Sequence, residues 1–353
     1  MPVPHPTSFS RPPAEMAKSF LRATIDRGPD PFWHYRVAVP VTSKLRPSVG
    51  LDVPSPVASL GLFYREDVEA DLEILGVRLT REIDPLFWLE EALKVHGIQP
   101  ESWKALPTAG GLLGDAAAAW EVDGRAFAGR FLTLKYGSRL FVIVCRAPRD
   151  VYERIAEEVF LSVTQFEVVQ KPDGPCAEPL AELKGAPWTL SLPTSWAVTP
   201  GPSGFQAKLR PPDDAAFASA WRPFPGVEGL KVPPPPPPAS YGGDLSVSFF
   251  PPNAYADPRP LQELCVETLT KAGLAPSTPA FAPGPKFPSF PETWDLASAA
   301  TPGVEVRGRV ARGPKGWMLA ALASPARASN PFAWMQNRRT LDLTAASLEF
   351  LTP

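Results

Sequence analysis

Chemistry-bearing residues are scarce in this sequence. Its 353 residues include only three cysteines and three histidines, and neither type clusters. Cys145 lies in the apolar run LFVIVC, Cys176 in a proline-rich connector and Cys265 in a helical pattern. An odd, scattered set of this kind argues against a disulfide framework or a thiolate metal site, and buried free thiols are expected instead. No two of His5, His34 and His96 have the spacing of metal ligands. An excess of charge of one sign is missing too: 35 Lys and Arg stand against 37 Asp and Glu, for a net charge of -2. Nothing in that balance draws the chain to nucleic acid or to an anionic membrane. No run approaches the ~20 apolar residues that span a bilayer. The opening MPVPHPTSFSRPPAEMAKSF has no apolar stretch of signal-peptide length. The expected location is therefore the cytoplasm, without membrane insertion.

Motifs for catalysis are missing as well. The stretch TAGGLLGD, Thr108 to Asp115, is glycine-rich but lacks the Lys-Ser/Thr pair of a phosphate-binding loop, and it leads into AAAAWEV rather than a helix. It reads as a loop. The carboxylate pairs Glu90-Glu91, Glu157-Glu158 and Asp213-Asp214 fall on polar faces or in loops, where solvation leaves them unsuited to acid-base work at neutral pH. His5 falls in an N-terminal arm expected to be flexible. His34 stands at the start of the first strand, and His96 stands in the last turn of a helix, where a cation is favoured. No nucleophile elbow, zinc motif or nucleotide fingerprint appears. The expectation is a binding protein, not an enzyme, with no cofactor.

What the chain has in abundance is proline, 47 residues of it, and a length that suits two domains better than one. It also repeats itself. DPLFWLEEALKVHGIQP, from Asp84, matches DPRPLQELCVETLTKAGLAP, from Asp257: Glu91, Leu93, Gly97, Ile98 and Pro100 fall on Glu267, Leu269, Gly273, Leu274 and Pro276. In each copy an aspartate stands ready to cap a helix with proline in its first turn, and a glycine ends it in the left-handed conformation. Leu86, Leu89 and Leu93 with Trp88, Ala92 and Val95 form the apolar face of the first helix, leaving Glu90, Glu91 and Lys94 to face water.

After each helix comes a strand meander whose last strand is apolar without alternation, Leu140 to Cys145 and Trp317 to Ala323. Such a strand needs cover on both faces. Leu132 and Leu134 alternate with Thr133 and Lys135, as in a strand nearer the surface. Tight turns between consecutive strands demand antiparallel pairing. Each half closes on a helix and a short strand, so that Phe166, Glu167 and Val168 fall on Leu348, Glu349 and Phe350. The fold class is therefore α+β: two tandem units, each a mainly antiparallel sheet with helices on its faces. The expected divisions are a flexible arm over 1–28, a first domain over 29–170, a linker over 171–185 and a second domain over 186–353 with a proline-rich insert at 222–243. The six prolines from Pro233 to Pro238 will take the extended polyproline form, as a stiff spacer.

RLFVIVCRAP followed by VFLSVTQFEV, and GWMLAALASP followed by LTAASLEF, resemble the PsbP/DcrB-like superfamily in the order of strands, closing helix and final strand. The resemblance covers roughly 30–170 and 185–352. It implies the α+β fold in both halves. Among leaderless bacterial members it is nearest to the Eag-type chaperones of type VI secretion, which hold apolar N-terminal segments of an effector against a sheet. By that resemblance the partner is another protein, such as the apolar N-terminal segment of a secreted effector, while the charge balance speaks against nucleic acid. The candidate contacts are Leu62, Tyr64, Leu132, Leu134, Val247 and Phe249 on the sheets, with Pro233 and Pro236 in the insert. Two other readings stay open: a scaffold subunit of a larger assembly, and an enzyme with an unfamiliar site. Exposed apolar residues on the sheet favour the chaperone, and a deep cleft with convergent polar groups the enzyme.

Overall fold

A computed structural model describes residues 2–10, 12–26, 30–46, 57–185, 188–209 and 242–351. These divide into two compact units, one ending at Ala177 and the other beginning at Glu178. The first opens with a short helix α1 (Pro13–Met16) and strands β1 (Phe20–Ile25), β2 (Tyr35–Pro40), β3 (Lys44–Arg46), β4 (Val57–Arg65) and β5 (Ala70–Arg78). It continues with helix α2 (Pro85–Val95), the meander β6 (Gln99–Thr108), β7 (Gly111–Val122), β8 (Arg125–Tyr136) and β9 (Arg139–Pro148), helix α3 (Arg149–Thr164) and β10 (Glu167–Val168). The second unit repeats the order: β11 (Leu180–Gly185), β12 (Trp188–Pro193), β13 (Trp196–Gly201), β14 (Gly204–Leu209) and β15 (Asp244–Phe250), then α4 (Arg259–Lys271). Its meander is β16 (Ala282–Pro283), β17 (Glu292–Ala299), β18 (Val304–Gly313) and β19 (Gly316–Pro325), closed by α5 (Pro331–Ser347) and β20 (Glu349–Phe350).

The two topologies correspond strand for strand. One unit has a seven-stranded sheet in the order β3-β4-β5-β9-β8-β7-β6, the other β13-β14-β15-β19-β18-β17-β16. Each has a small second sheet, β1-β2-β10 or β11-β12-β20. Every pairing is antiparallel. The fold is thus two tandem α+β units. The final strands even keep register: Val168 faces Tyr35, and Phe350 faces Trp188.

The unbroken apolar strands sit at the centres of the sheets and supply both faces. In the second unit Met318, Ala320 and Leu322 join the core beneath α5, while Trp317, Leu319, Ala321 and Ala323 join the core beneath α4. In the first, Phe141, Ile143 and Cys145 pack with Tyr152, Ile155 and Val159 of α3. On the opposite face α2 crosses β7 at Gly114, where a Cβ would lie 3.0 Å from Leu86 Cα. In the second unit α4 crosses β18 at Gly308, whose absent Cβ leaves room for Cys265 Sγ. The missing side chain is what lets helix and sheet approach in each case.

Several local expectations are corrected. Residues 2–10 and β1 are docked, so the arm over 1–28 is part of the first unit in every residue described. Residues 180–185 are not linker but β11, paired along its length with β12. TAGGLLGD is the turn of the β6–β7 hairpin and the start of β7. Thr133 and Lys135 are as buried as Leu132, because β8 is covered on both faces, and the ammonium of Lys135 pairs with Glu82 inside the unit. Glu91 is 4% exposed, not turned to water. Neither aspartate caps as expected: Pro258 holds the cap position of α4 and Asp257, one residue earlier, accepts from Arg259 N at 2.9 Å, while Asp84 Oδ1 accepts from Leu112 N at 3.0 Å and ties α2 to β7. Gly97 and Gly273 both end their helices at positive φ, 69° and 77°. His96 is buried, and loss of hydration drops its pKa to about 4, so the imidazole is neutral where a helix-end cation was expected. The insert over 222–243, apart from Gly242 and Gly243, lies outside the described residues, as do Asp213 and Asp214.

Candidate protein-binding surface of the first unit

The meander of the first unit ends on a long strand with no further strand beside it among the described residues. β6 pairs with β7 from Gln99 to Thr108, with a bulge between Pro100 and Ser102. Pro100 and Pro107 lack an N–H, so only the middle of β6 has a full set of donors to offer a further strand. Two large apolar side chains stand on that middle segment: Trp103 is 37% and Leu106 54% exposed. Exposed aromatic and aliphatic residues on a free edge are what a strand-adding partner uses, and what a protein with no partner ordinarily avoids. The equivalent edge of the second unit, β16, is only Ala282–Pro283.

Leu106 shares its face of β6 with Ser102 and Lys104, and that face looks toward α3. Ser102 and Lys104 alternate with Trp103 and point the opposite way. Against them lies the extended segment 2–10. His5 Nε2 is 2.9 Å from Asp115 Oδ1 on β7, and His5 Nδ1 shares a hydrogen bond of 2.6 Å with Ser102 Oγ. Arg130 on β8 donates to both oxygens of Asp115, at 2.9 and 2.6 Å. Its guanidinium also lies 5.0 Å from the centre of the Phe160 ring on α3. Burial by itself would raise the Asp115 carboxyl, but the hydrogen bonds from His5 and Arg130 outweigh it and hold the group below the usual carboxylate range. Asp115 is therefore an anion, and His5 Nε2–H must be the donor to it.

The residues expected to touch a partner are not brought together. Leu132 is buried in the first core, and Val247 and Phe249 in a core of the second, with Phe249 4.6 Å from the Trp188 ring. They are unavailable because each sheet face carries a layer of its own. Leu62 and Tyr64 are half-buried on β4, Tyr64 beneath the guanidinium of Arg46 at 4.2 Å. Leu134 packs on the first core and lines a groove of about 320 Å³ with Tyr136, Lys171 and Pro172. Pro233 and Pro236 lie outside the described residues. Glu157 and Glu158, expected to be merely solvated, hold Ser10 N at 3.1 Å and Arg65 at 2.7 Å.

Sequence reasoning passed over Trp103, Leu106, His5, Asp115 and Arg130. QPESWKALPT alternates weakly, and Asp115 was hidden in an apparent loop. A paired hairpin was the available signal: QPESWKALPT and GLLGDAAAAWEV flank a tight Ala109-Gly110 turn. Chemically, the surface offers backbone pairing, apolar contact and one deep carboxylate. Among the described residues no three His, Cys, Asp or Glu side chains form a metal-binding group. Burial raises the thiol pKa of Cys145 and of Cys265 to about 12, which suits packing rather than nucleophilic attack.

No protein-family model matches this sequence, and no curated protein matches it. Among solved structures, the chain is similar to the cyanobacterial PsbP protein CyanoP of Synechocystis sp. PCC 6803, at 10% identity and TM-score 0.34 over 42% of this chain and 92% of that one. It is similar to LpqN of Mycobacterium tuberculosis, described as involved in cell envelope biogenesis, at 16% identity and TM-score 0.32 over 45% of this chain and 96% of that one. It is also similar to TplEi, an immunity protein of the Pseudomonas aeruginosa type VI secretion system, at 11% identity and TM-score 0.22 over 94% of this chain and 97% of that one. These are likenesses of fold between remote sequences. No helix among the described residues is long and apolar enough to cross a membrane.

Proposed function

We propose that this chain is a non-catalytic protein-binding module that takes an extended apolar segment of another protein along the free edge of β6. The observation that carries the reading is the exposure of Trp103 and Leu106 on a ten-residue edge strand that has no further strand beside it among the described residues, where the equivalent edge of the second unit is two residues long. Main-chain hydrogen bonds along such an edge supply affinity, and the exposed side chains supply selectivity. A partner whose apolar segment aggregates when free gains most from being held in this way. That makes a chaperone or adaptor the preferred role and an effector-like secreted protein the preferred partner class. Support for the partner class comes only from the resemblance in sequence pattern; the edge itself requires no more than an extended apolar strand.

The test is recovery of the tagged full chain from its own cells, with and without the paired substitutions Trp103→Glu and Leu106→Lys. The expected result is one polypeptide co-purifying in a fixed molar ratio with the native chain and absent from the variant, whose melting temperature is unchanged. Recovery of the native chain alone, or equal recovery of the partner by both, overturns the reading.

A further inference from the structure

The two exposed apolar residues of β6 lie on opposite faces of the sheet. Trp103 is paired with Ala116 and Leu106 with Leu113, and paired residues of an antiparallel ladder project from the same face. Leu113 belongs to the core that α3 closes. Ala116 shares its face with Gly114, the point where α2 crosses β7. Trp103 therefore stands on the α2 face and Leu106 on the α3 face, as an odd spacing along a strand requires. No other edge strand among the described residues is built this way: Leu21 on β1 and Leu180 on β11 are single exposed residues.

The usable length of this edge is short. The bulge between Pro100 and Ser102 breaks the pleat at one end and Pro107 lacks an N–H at the other, so regular pairing is confined to residues 102–106. Among these Lys104 is the one charged side chain, on the face of Leu106. Its Nζ donates to His5 O at 3.0 Å, which uses one of the three donors of an ammonium. The carboxylate of Asp115 is already held by two donors of Arg130, at 2.9 and 2.6 Å. Loss of hydration lowers the Lys104 pKa, and the attraction of Asp115 does not offset it. A carboxylate beside Lys104 on an added strand would meet this cation at cross-strand distance, where opposite charges attract and like charges repel.

We infer that the strand taken up by β6 is apolar on both faces: it carries two apolar residues three positions apart, one beside Trp103 and one beside Leu106, with an acidic residue beside Lys104. Resting on the reading of β6 as the binding edge, this motif defines what the edge selects. The apolar spacing is the same whichever way the added strand runs. From N to C terminus the motif is apolar, any, acidic, apolar for an antiparallel partner, and apolar, acidic, any, apolar for a parallel one. A strand with its apolar residues two apart, the pattern of a sheet with one wet face, makes only one of the two apolar contacts. A strand apolar on both faces is an interior strand, covered from both sides in its own folded protein, as Leu140 to Cys145 are in this chain. The ligand class is thus an interior strand of another protein, held before it is buried in its own fold.

The experiment measures the anisotropy of short fluorescent peptides on the full chain. Cores of one composition are compared within identical Ser-Gly flanks: Ile-Thr-Glu-Val and Val-Glu-Thr-Ile, which satisfy the antiparallel and parallel frames, and Ile-Thr-Val-Glu, which alternates. One of the first two should bind about five-fold more tightly than the third. Replacing its glutamate with lysine should weaken binding about three-fold on the native chain, and the order should reverse on the Lys104→Glu chain. Where that variant does not fold, Lys104→Gln should abolish the preference for glutamate over lysine. Equal binding of the alternating core overturns the spacing while leaving β6 as the edge, and the same charge preference in native and variant chains overturns the acid. Binding of every core unchanged by Trp103→Glu with Leu106→Lys, or binding of none, removes the edge reading and this motif with it. A dimer by native mass that the same substitutions dissolve makes the occupant a second copy of this chain and overturns the assignment to a different protein.

Discussion

The two units share strand order, register and helix ends, yet they differ at the same edge and at the equivalent aspartate, Asp115 at 6% exposure and Asp295 at 30%. In the first, β6 pairs with β7 from Gly111 to Ala119 and shows Trp103 and Leu106 to solvent; in the second, β16 shrinks to Ala282–Pro283. In the first, Asp115 is capped by an N-terminal segment; in the second, Asp295 is locked by Arg309 under internal chain. The copies thus keep one topology while differing at the edge strand and at the cover of this aspartate. The second unit also lacks histidine entirely. Its stability should depend less on pH.

The largest expected effect tests the aspartate sites against each other. Removing one member of a buried ion pair ordinarily costs about 3–5 kcal/mol, because the partner is left charged and dry. Arg309 faces two partly exposed carboxylates, Asp295 at 30% and Asp342 at 24%, whereas Arg130 faces the single carboxylate of Asp115, 6% exposed. Arg130→Ala should therefore lower the midpoint of chemical denaturation more than Arg309→Ala, because Asp115 is left dry while Asp295 and Asp342 keep water, and the reverse order breaks the comparison.

Acid should separate the units next. His96 has a folded pKa of about 4, below its unfolded value of 6.5, so the unfolded chain takes up the proton first. Its contribution to stability is complete above pH 6.5 and is lost as pH falls toward 4, on the order of 2–3 kcal/mol. Thermal melts between pH 7 and 4 should show the first unit weakening ahead of the second, and His96→Gln should flatten that trend.

Smaller effects sharpen what the units share. Gly97 and Gly273 have positive φ with open space where a Cβ would stand. Alanine at either should cost about 1 kcal/mol by backbone strain alone, and equal losses in denaturation confirm that the two helix ends are one device used twice. Smallest of all, the pair Trp103→Glu and Leu106→Lys should move stability by no more than about 0.5 kcal/mol while removing partner binding. A large loss in the melt would place both residues in the support of the fold.

Much of this molecule was legible before any coordinates. The repeat, the central strands Leu140 to Cys145 and Trp317 to Ala323, the glycine ends of α2 and α4 and the closing strands all follow from local chemistry: capping, periodicity and the need of an apolar strand for cover. Asp84 shows the limit of that reasoning, for the residue type suited a cap but a strand amide, Leu112 N, lay nearer in the fold. Glu91, Thr133 and Lys135 show it again. Each is polar in a window that reads as surface, and each is buried because distant chain covers it.

Local pattern alone decided that there would be two α+β units, where their helices would stop and which strands would be central, because those depend on neighbours in sequence. Tertiary structure alone decided which edge stays open, which aspartate is buried and by what. His5 meets Asp115 and Arg309 meets Asp342 across separations that no window of sequence spans. Burial and pairing of charge are set by what arrives from elsewhere in the chain, and that is where the two copies of one pattern became different surfaces.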